Sequence, residues 1–217
     1  MTDPSPSAAP RWRRRKTARP GEIVAAALAE FADKGYAAAR LEDVAARAGV
    51  SKGALYRYFE TKADLFRAVA EHVASANIER LEAAVLARGV RFDLAVATIL
   101  GQAAEIAEAS RLGGVAKMVI GESRNFPDLA RVWHDAVAAR ALGAVAELVR
   151  RAQDRGEVRP GDPRLHALSI MGPMVVGLLW REVFTPSGGA VLDLRALAAQ
   201  HAATVLKGLA AEPKETA

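Results

Sequence analysis

The chain of 217 residues contains no cysteine. A disulfide framework, thiolate metal sites and a cysteine nucleophile are therefore excluded, and the absence suits a reducing compartment. Histidine is scarce too, at four residues, with no pair at helical ligand spacing, so neither a metal nor another cofactor is expected. Aromatic residues make up only 6% of the chain. The longest uncharged run, 165–180, is interrupted by Pro173 and falls short of the ~20 residues a bilayer span needs. Arg and Pro crowd the N-terminus where a secretory peptide would carry an apolar stretch, so a cytoplasmic protein with no membrane partner is expected. Nowhere does a period-two alternation run long enough to suggest a sheet. Phosphate-binding glycine loops, dinucleotide turns and nucleophile elbows are missing as well, so the sequence gives catalysis no support.

What is present is apolar residues at 51%, charged residues at 25%, and positive charge placed unevenly. Residues 1–62 hold twelve Lys or Arg against seven Asp or Glu, whereas 63–217 hold eighteen of each. The net charge of +5 thus resides in the first quarter, as expected for a polyanion-binding segment joined to a neutral body. Residues 1–19 form a basic tail around Trp12, with Arg11, Arg13, Arg14 and Arg15 at its centre. Such a tail either stays free in solution or enters a minor groove beside a bound helix.

Apolar spacing and Gly/Pro punctuation predict an all-α protein with helices over 20–34, 41–49, 52–59, 63–88, 92–109, 111–123, 127–155, 163–184 and 193–209. In the first, Ile23, Ala27 and Phe31 repeat at i, i+4 and i+8. The second and third are joined by Ala48-Gly-Val-Ser51, which reads as a helix-turn-helix. Gly49 supplies the positive φ, Val50 plugs the angle between the helices, and Ser51 caps the next one. Leu55 and Phe59 point inward, leaving Lys52, Gly53, Tyr56, Arg57 and Tyr58 on or near the outer face.

The order Phe31-Ala-Asp-Lys-Gly-Tyr36, Leu41-Glu-Asp-Val-Ala45, Ala48-Gly-Val-Ser-Lys-Gly-Ala-Leu-Tyr-Arg-Tyr-Phe59 and Lys62-Ala-Asp-Leu65 resembles the DNA-binding domain of the TetR transcriptional regulators. That resemblance implies a basic arm over 1–19, a three-helix DNA-binding domain with its helix-turn-helix over 20–66, and a larger helical ligand-sensing and dimerisation domain over 67–217. It implies that Lys52, Gly53 and Ala54 approach base edges and that Arg57 reaches a base or a phosphate. Tyr56, Tyr58 and Lys62 are then expected on the phosphate backbone of double-stranded DNA. Two positions depart from the family pattern, Ala39 and Ala54 standing where Thr is usual. The second helix thereby lacks its hydroxyl cap, and Arg40 is the candidate to compensate electrostatically.

The same resemblance implies a homodimer through the last two helices, which carry apolar stripes at Leu168, Met171, Val175, Leu178 and Leu179 and at Leu194, Leu197, Val205 and Leu209. An apolar or aromatic effector is expected near Met118, Glu122, Phe126, Trp133, His134, Met174 and Trp180. The leading expectation is a repressor released from a palindromic operator by a small molecule. A DNA-binding protein controlled by a partner or by nothing, and a helical carrier or enzyme without a DNA role, are the alternatives.

Overall fold

In a computed structural model, which describes residues 20–86 and 89–211, ten α-helices follow one another and no strand forms among the described residues. The first three are α1 (Pro20–Ala38), α2 (Leu41–Arg47) and α3 (Lys52–Tyr56). A long α4 (Lys62–Leu86) leads to α5 (Phe92–Ala109), α6 (Leu112–Glu122), α7 (Pro127–Trp133) and α8 (Ala139–Asp154), and α9 (Pro163–Val183) and α10 (Leu194–Leu209) close the fold.

Local chemistry sets most of the boundaries. Gly35, at φ 77° and ψ 166°, breaks α1 into a main helix and a final turn. Gly49, at φ 68°, makes the turn between α2 and α3, a conformation costly for any residue with a Cβ. A reciprocal cap opens α4: Asp64 N–H donates to Thr61 Oγ1 at 3.0 Å and Thr61 N–H donates to Asp64 Oδ2 at 3.0 Å. Asp162 and Asp193 accept the first free amides of α9 and α10. The helix expected over 127–155 is continuous, but its middle, His134–Ala138, is a π-turn joining α7 to α8. Helix α9 runs on through Pro173.

Two apolar cores result. The first gathers Ile23 and Phe31 of α1, Leu55 of α3 and Phe66 and Val69 of α4 with Val119, Leu129 and Val132 from α6 and α7. The second gathers Val96, Leu100, Val149, Ile170 and Leu194, from α5, α8, α9 and α10. Full burial of one such side chain contributes about 1.5–3 kcal/mol. A charged network also fixes α2 to α1. Arg47 reaches Glu30 at 2.9 Å and Asp33 at 2.7 Å, and Lys34 bridges Glu30 and Asp43. Glu30 is buried, which is tolerable because two cations face it.

The α10 stripe is a correction to the sequence reading. Leu194, Val205 and Leu209 are buried against the same chain, and Leu197 packs on that core. At Gly177 a Cβ would lie 2.9 Å from both Leu194 Cδ2 and Leu197 Cδ2, so glycine is what lets α9 and α10 approach so closely. The α9 stripe divides. Leu178 turns inward, whereas Leu165, Leu168, Val175 and Val176 are exposed. By length and composition the helical stretch Pro163–Ser187 is apolar enough to cross a membrane, with mean hydropathy 1.4, although the sequence reading placed it below that length; 28% of its window is buried. The same test is met by helices that bury an apolar face against other protein.

Candidate nucleic-acid interface and effector cavity

The outer face of the head is built by α3 and its flanks. Leu55 is fully buried and Phe59 nearly so, and these two anchors turn the intervening residues outward. Lys52, Gly53, Tyr56, Arg57 and Tyr58 are all exposed, and Ala54 is half-buried. Ser51 Oγ accepts the Ala54 N–H at 3.2 Å and so caps α3. Arg40 is exposed at the N-cap of α2 without a side-chain cap bond, as the missing hydroxyl there implies.

Cations on this face are held by local partners. Lys52 Nζ lies 2.5 Å from Glu42 Oε1 and 5.7 Å from the centre of the Tyr56 ring. Its hydrogen bond to Glu42 is the main reason its ammonium sits above the ordinary lysine range and the Glu42 carboxyl sits below its own. Any phosphate or base that takes Lys52 must compete with Glu42. The Arg57 guanidinium lies 5.6 Å over the Tyr58 ring and engages no carboxylate among the described residues.

Lys62 does not join this face. Its ammonium turns back into the molecule and donates to the Tyr36, Ala37 and Ala39 carbonyls at 2.5, 3.2 and 2.9 Å. It also stacks 4.5 Å from the Tyr36 ring. Burial lowers its pKa, and Glu122 partly offsets this. The carbonyls at the end of α1 are thus satisfied by a lysine 23 to 26 positions further along the chain. Lys62→Met is expected to cost about 1–3 kcal/mol of stability by orphaning those carbonyls. The salt dependence of DNA binding should stay unchanged; a slope reduced by about one unit would return Lys62 to the phosphate backbone.

Glu122 grips the same segment from the other side. Its carboxylate accepts the Tyr36 N–H at 2.8 Å and the Ala37 N–H at 3.0 Å. Phe126 packs edge-on against Tyr36 with ring centres 5.2 Å apart. Two residues assigned from sequence to an effector pocket therefore fasten the head to the body. Nothing in the sequence announced this, because the partners of Glu122 are backbone amides about 85 positions away.

The other pocket assignments disperse as well. Met118 borders an outer cleft between α1 and α6, together with Glu122. Trp133 packs against the first core, and His134 is exposed with Nδ1 2.8 Å from Asp135 Oδ1. Trp180 stacks on Phe184 at 4.9 Å and donates to the Ala190 carbonyl. Only Met174 of the seven lines the apolar cavity that the body does contain. That cavity of about 160 Å³ lies between α4, α5, α8 and α9, walled by Ile78, Leu81, Ile99, Ile106 and Leu178. Alanines make the space. Ala74, Ala103 and Ala107 face it where larger side chains would fill it, a signal that a search for aromatic and sulfur-bearing residues overlooks. Arg11, Arg13, Arg14 and Arg15 lie outside the described residues. No group of three or more potential metal ligands occurs among the described residues.

Residues 23–69 match the description "Bacterial regulatory proteins, tetR family", and residues 87–191 match "Tetracyclin repressor-like, C-terminal domain". The HTH-type transcriptional activator FasR of Mycolicibacterium smegmatis is 47% identical over 51 residues, covering 24% of this chain and 23% of that protein. Two further curated relatives are matched over 31% and 41% of their lengths, so the chain aligns with less than half of each of the three. Among solved structures, the complex of SmeT with triclosan, SmeT being the repressor of a multidrug efflux pump of Stenotrophomonas maltophilia, superposes with a TM-score of 0.72 at 26% identity, covering 89% of this chain and 92% of that one. The regulator FadR of Bacillus subtilis in complex with stearoyl-CoA superposes with a TM-score of 0.74 at 22% identity, covering 88% of this chain and 100% of that one.

Proposed function

The chain belongs to the TetR family, and from that premise we propose that it is a cytoplasmic, homodimeric repressor that grips double-stranded DNA through α3 and lets go when a small molecule enters the cavity between α4, α5, α8 and α9. The observation that carries this reading is the outward set Lys52, Gly53, Tyr56, Arg57 and Tyr58 on a helix anchored from below by Leu55 and Phe59. A side-chain array of this kind offers donors to base edges at the helix start and hydroxyls to phosphates beside it. Residues 20–66 form the reading head, and the rest of the chain senses and dimerises.

Two connections carry the switch. Helix α4 begins at Lys62, under the head, and lines the cavity with Ala74, Asn77, Ile78 and Leu81. Helix α6 meets the cavity wall at one end, where a Cβ on Gly113 would come within 2.8 Å of Leu178 Cδ1. Its other end presents Glu122 to the backbone of Tyr36 and Ala37. An occupant that shifts either helix changes the spacing of the two heads, and affinity falls by the difference in its binding to the two states.

The test is selection of binding sites from random duplex DNA by the full-length protein, followed by mobility shift. Enrichment of a two-fold symmetric site with half-sites about 34 Å apart is expected. A protein that enriches nothing at low salt is not a DNA-binding regulator.

A further inference from the structure

Which molecule enters the cavity follows from its charge and its size. Among the described residues, Asn77 and Gln102 supply the only polar side chains on its wall, and both are amides. No Lys, Arg, Asp, Glu or His among the described residues lines it. Asn77 is already engaged: its Oδ1 accepts from Arg80 at 2.8 Å and its Nδ2 faces the Val73 carbonyl at 3.4 Å. Gln102 makes no side-chain hydrogen bond to another described residue, so its amide has a donor and an acceptor free for a ligand.

A carboxylate or phosphate entering this space would give up its water for methyl and methylene groups, and that cost is large. Arg80, in the adjoining cleft, is held by the Asn77 amide oxygen and the Ala76 carbonyl and faces Glu105 across that cleft rather than the cavity wall. Size excludes a second class. An apolar cavity of roughly 150 Å³ stays dry and accommodates benzene, and the volume here is about 160 Å³. One ring with a short substituent fills it; a long acyl chain with a nucleotide head would leave most of itself outside. The outer cleft between α1 and α6 does not substitute as a site for such a ring. Four charged residues border it, Arg111, Lys117, Glu122 and Glu182, so a neutral ring there would sit against groups that water solvates better.

The geometry points to an effector that is uncharged, about the size of a single substituted ring, and oriented by one polar substituent against the amide of Gln102. This rests on the reading of the cavity as the effector site and narrows what that site admits. A hydroxyl satisfies it best, since Gln102 can both donate to it and accept from it. The stearoyl-CoA held by FadR marks the class of ligand that this wall rejects.

The experiment is thermal shift and calorimetry on the full-length protein with p-cresol, toluene, benzoate and palmitoyl-CoA at neutral pH, where a phenol with its pKa near ~10 is neutral and benzoate is charged. Both neutral rings should raise the melting temperature saturably, with p-cresol the tighter and benzoate at least ~10-fold weaker than p-cresol. Gln102→Leu should erase the preference for p-cresol over toluene while keeping toluene binding. Ala103→Phe, which fills the space, should remove both. Tighter binding of benzoate or palmitoyl-CoA than of the neutral rings overturns the proposal, and so does the lack of any shift with p-cresol and toluene. Neutral rings that still bind after Ala103→Phe overturn the placement. DNA binding of the ligand-free protein is measured on the same preparation: if DNA binds and the rings do not, only this inference fails, whereas if the rings bind and no DNA is recognised, the regulator reading fails.

Discussion

Val176→Glu is expected to leave the protein helical but monomeric, and to take operator binding down to the level of random DNA. Val176 sits 62% exposed on the outer side of α9, in a row with Leu165, Leu168 and Val175, which are 62, 53 and 47% exposed. A soluble monomer rarely leaves such a contiguous apolar row in water. On α10, Ala196, Ala199 and Ala203 are exposed as well, and side chains that small would let a second pair of helices come close. In a two-fold contact the same patch faces itself, so one substitution near the axis places two carboxylates in the interface. A lone α3, five residues long, reads one half-site. Specific affinities commonly exceed non-specific ones by at least ~10³-fold, and that factor is what a monomer forfeits. Light scattering with size exclusion, run beside mobility shift, checks both halves. A variant that stays dimeric, or a monomer that binds as tightly as the parent, would move the subunit contact away from α9.

The head could be read almost entirely from the sequence because its determinants are local. Gly49 needs its positive φ for the turn, Ser51 caps the helix that follows it, and Leu55 with Phe59 define the inner side of α3 by their spacing alone. The helices of the body were legible for a similar reason, since Gly and Pro punctuate them. Which face each helix buries was another matter. An apolar stripe looks the same whether it meets α5 of its own chain or a copy of itself: Leu194, Val205 and Leu209 of α10 turn inward, whereas the α9 stripe splits, Leu178 inward and Leu168 and Val175 outward.

Charged residues are hard to place from sequence for a different physical reason. Lys62 and Glu122 look like surface charge or ligand handles because their partners are peptide groups at the broken end of α1, invisible as side-chain motifs. The cavity escaped notice because a void is defined by what is small. Large aromatic residues drew attention to Phe126 and Trp180, whereas Phe126 seals the joint between head and body and Trp180 closes on Phe184. In both cases tertiary contacts, set by chain segments far apart, decide the role that composition leaves open.

Arg57→Ala is expected to separate base reading from phosphate binding on the outer face. The guanidinium is exposed at the C-cap of α3, resting over Tyr58, so its removal disturbs no packing and the stability of the protein should stay within about 0.5 kcal/mol of the parent. A bidentate contact from an arginine to guanine is worth about 1–3 kcal/mol of discrimination. A dimer carries two such arginines, so the loss on a symmetric operator is about 2–6 kcal/mol, or roughly 30-fold to 10⁴-fold, while random duplex loses only the phosphate attraction. Lys52 is a less clean probe of the same surface, because removing it also uncovers the Glu42 carboxylate that it neutralises. Competition mobility shift with the selected operator and with random DNA, at several salt concentrations, decides the role of Arg57. A larger loss on the operator assigns it to a base, an equal loss on both assigns it to the backbone, and no loss on either would mean that α3 docks with this end turned away from the duplex.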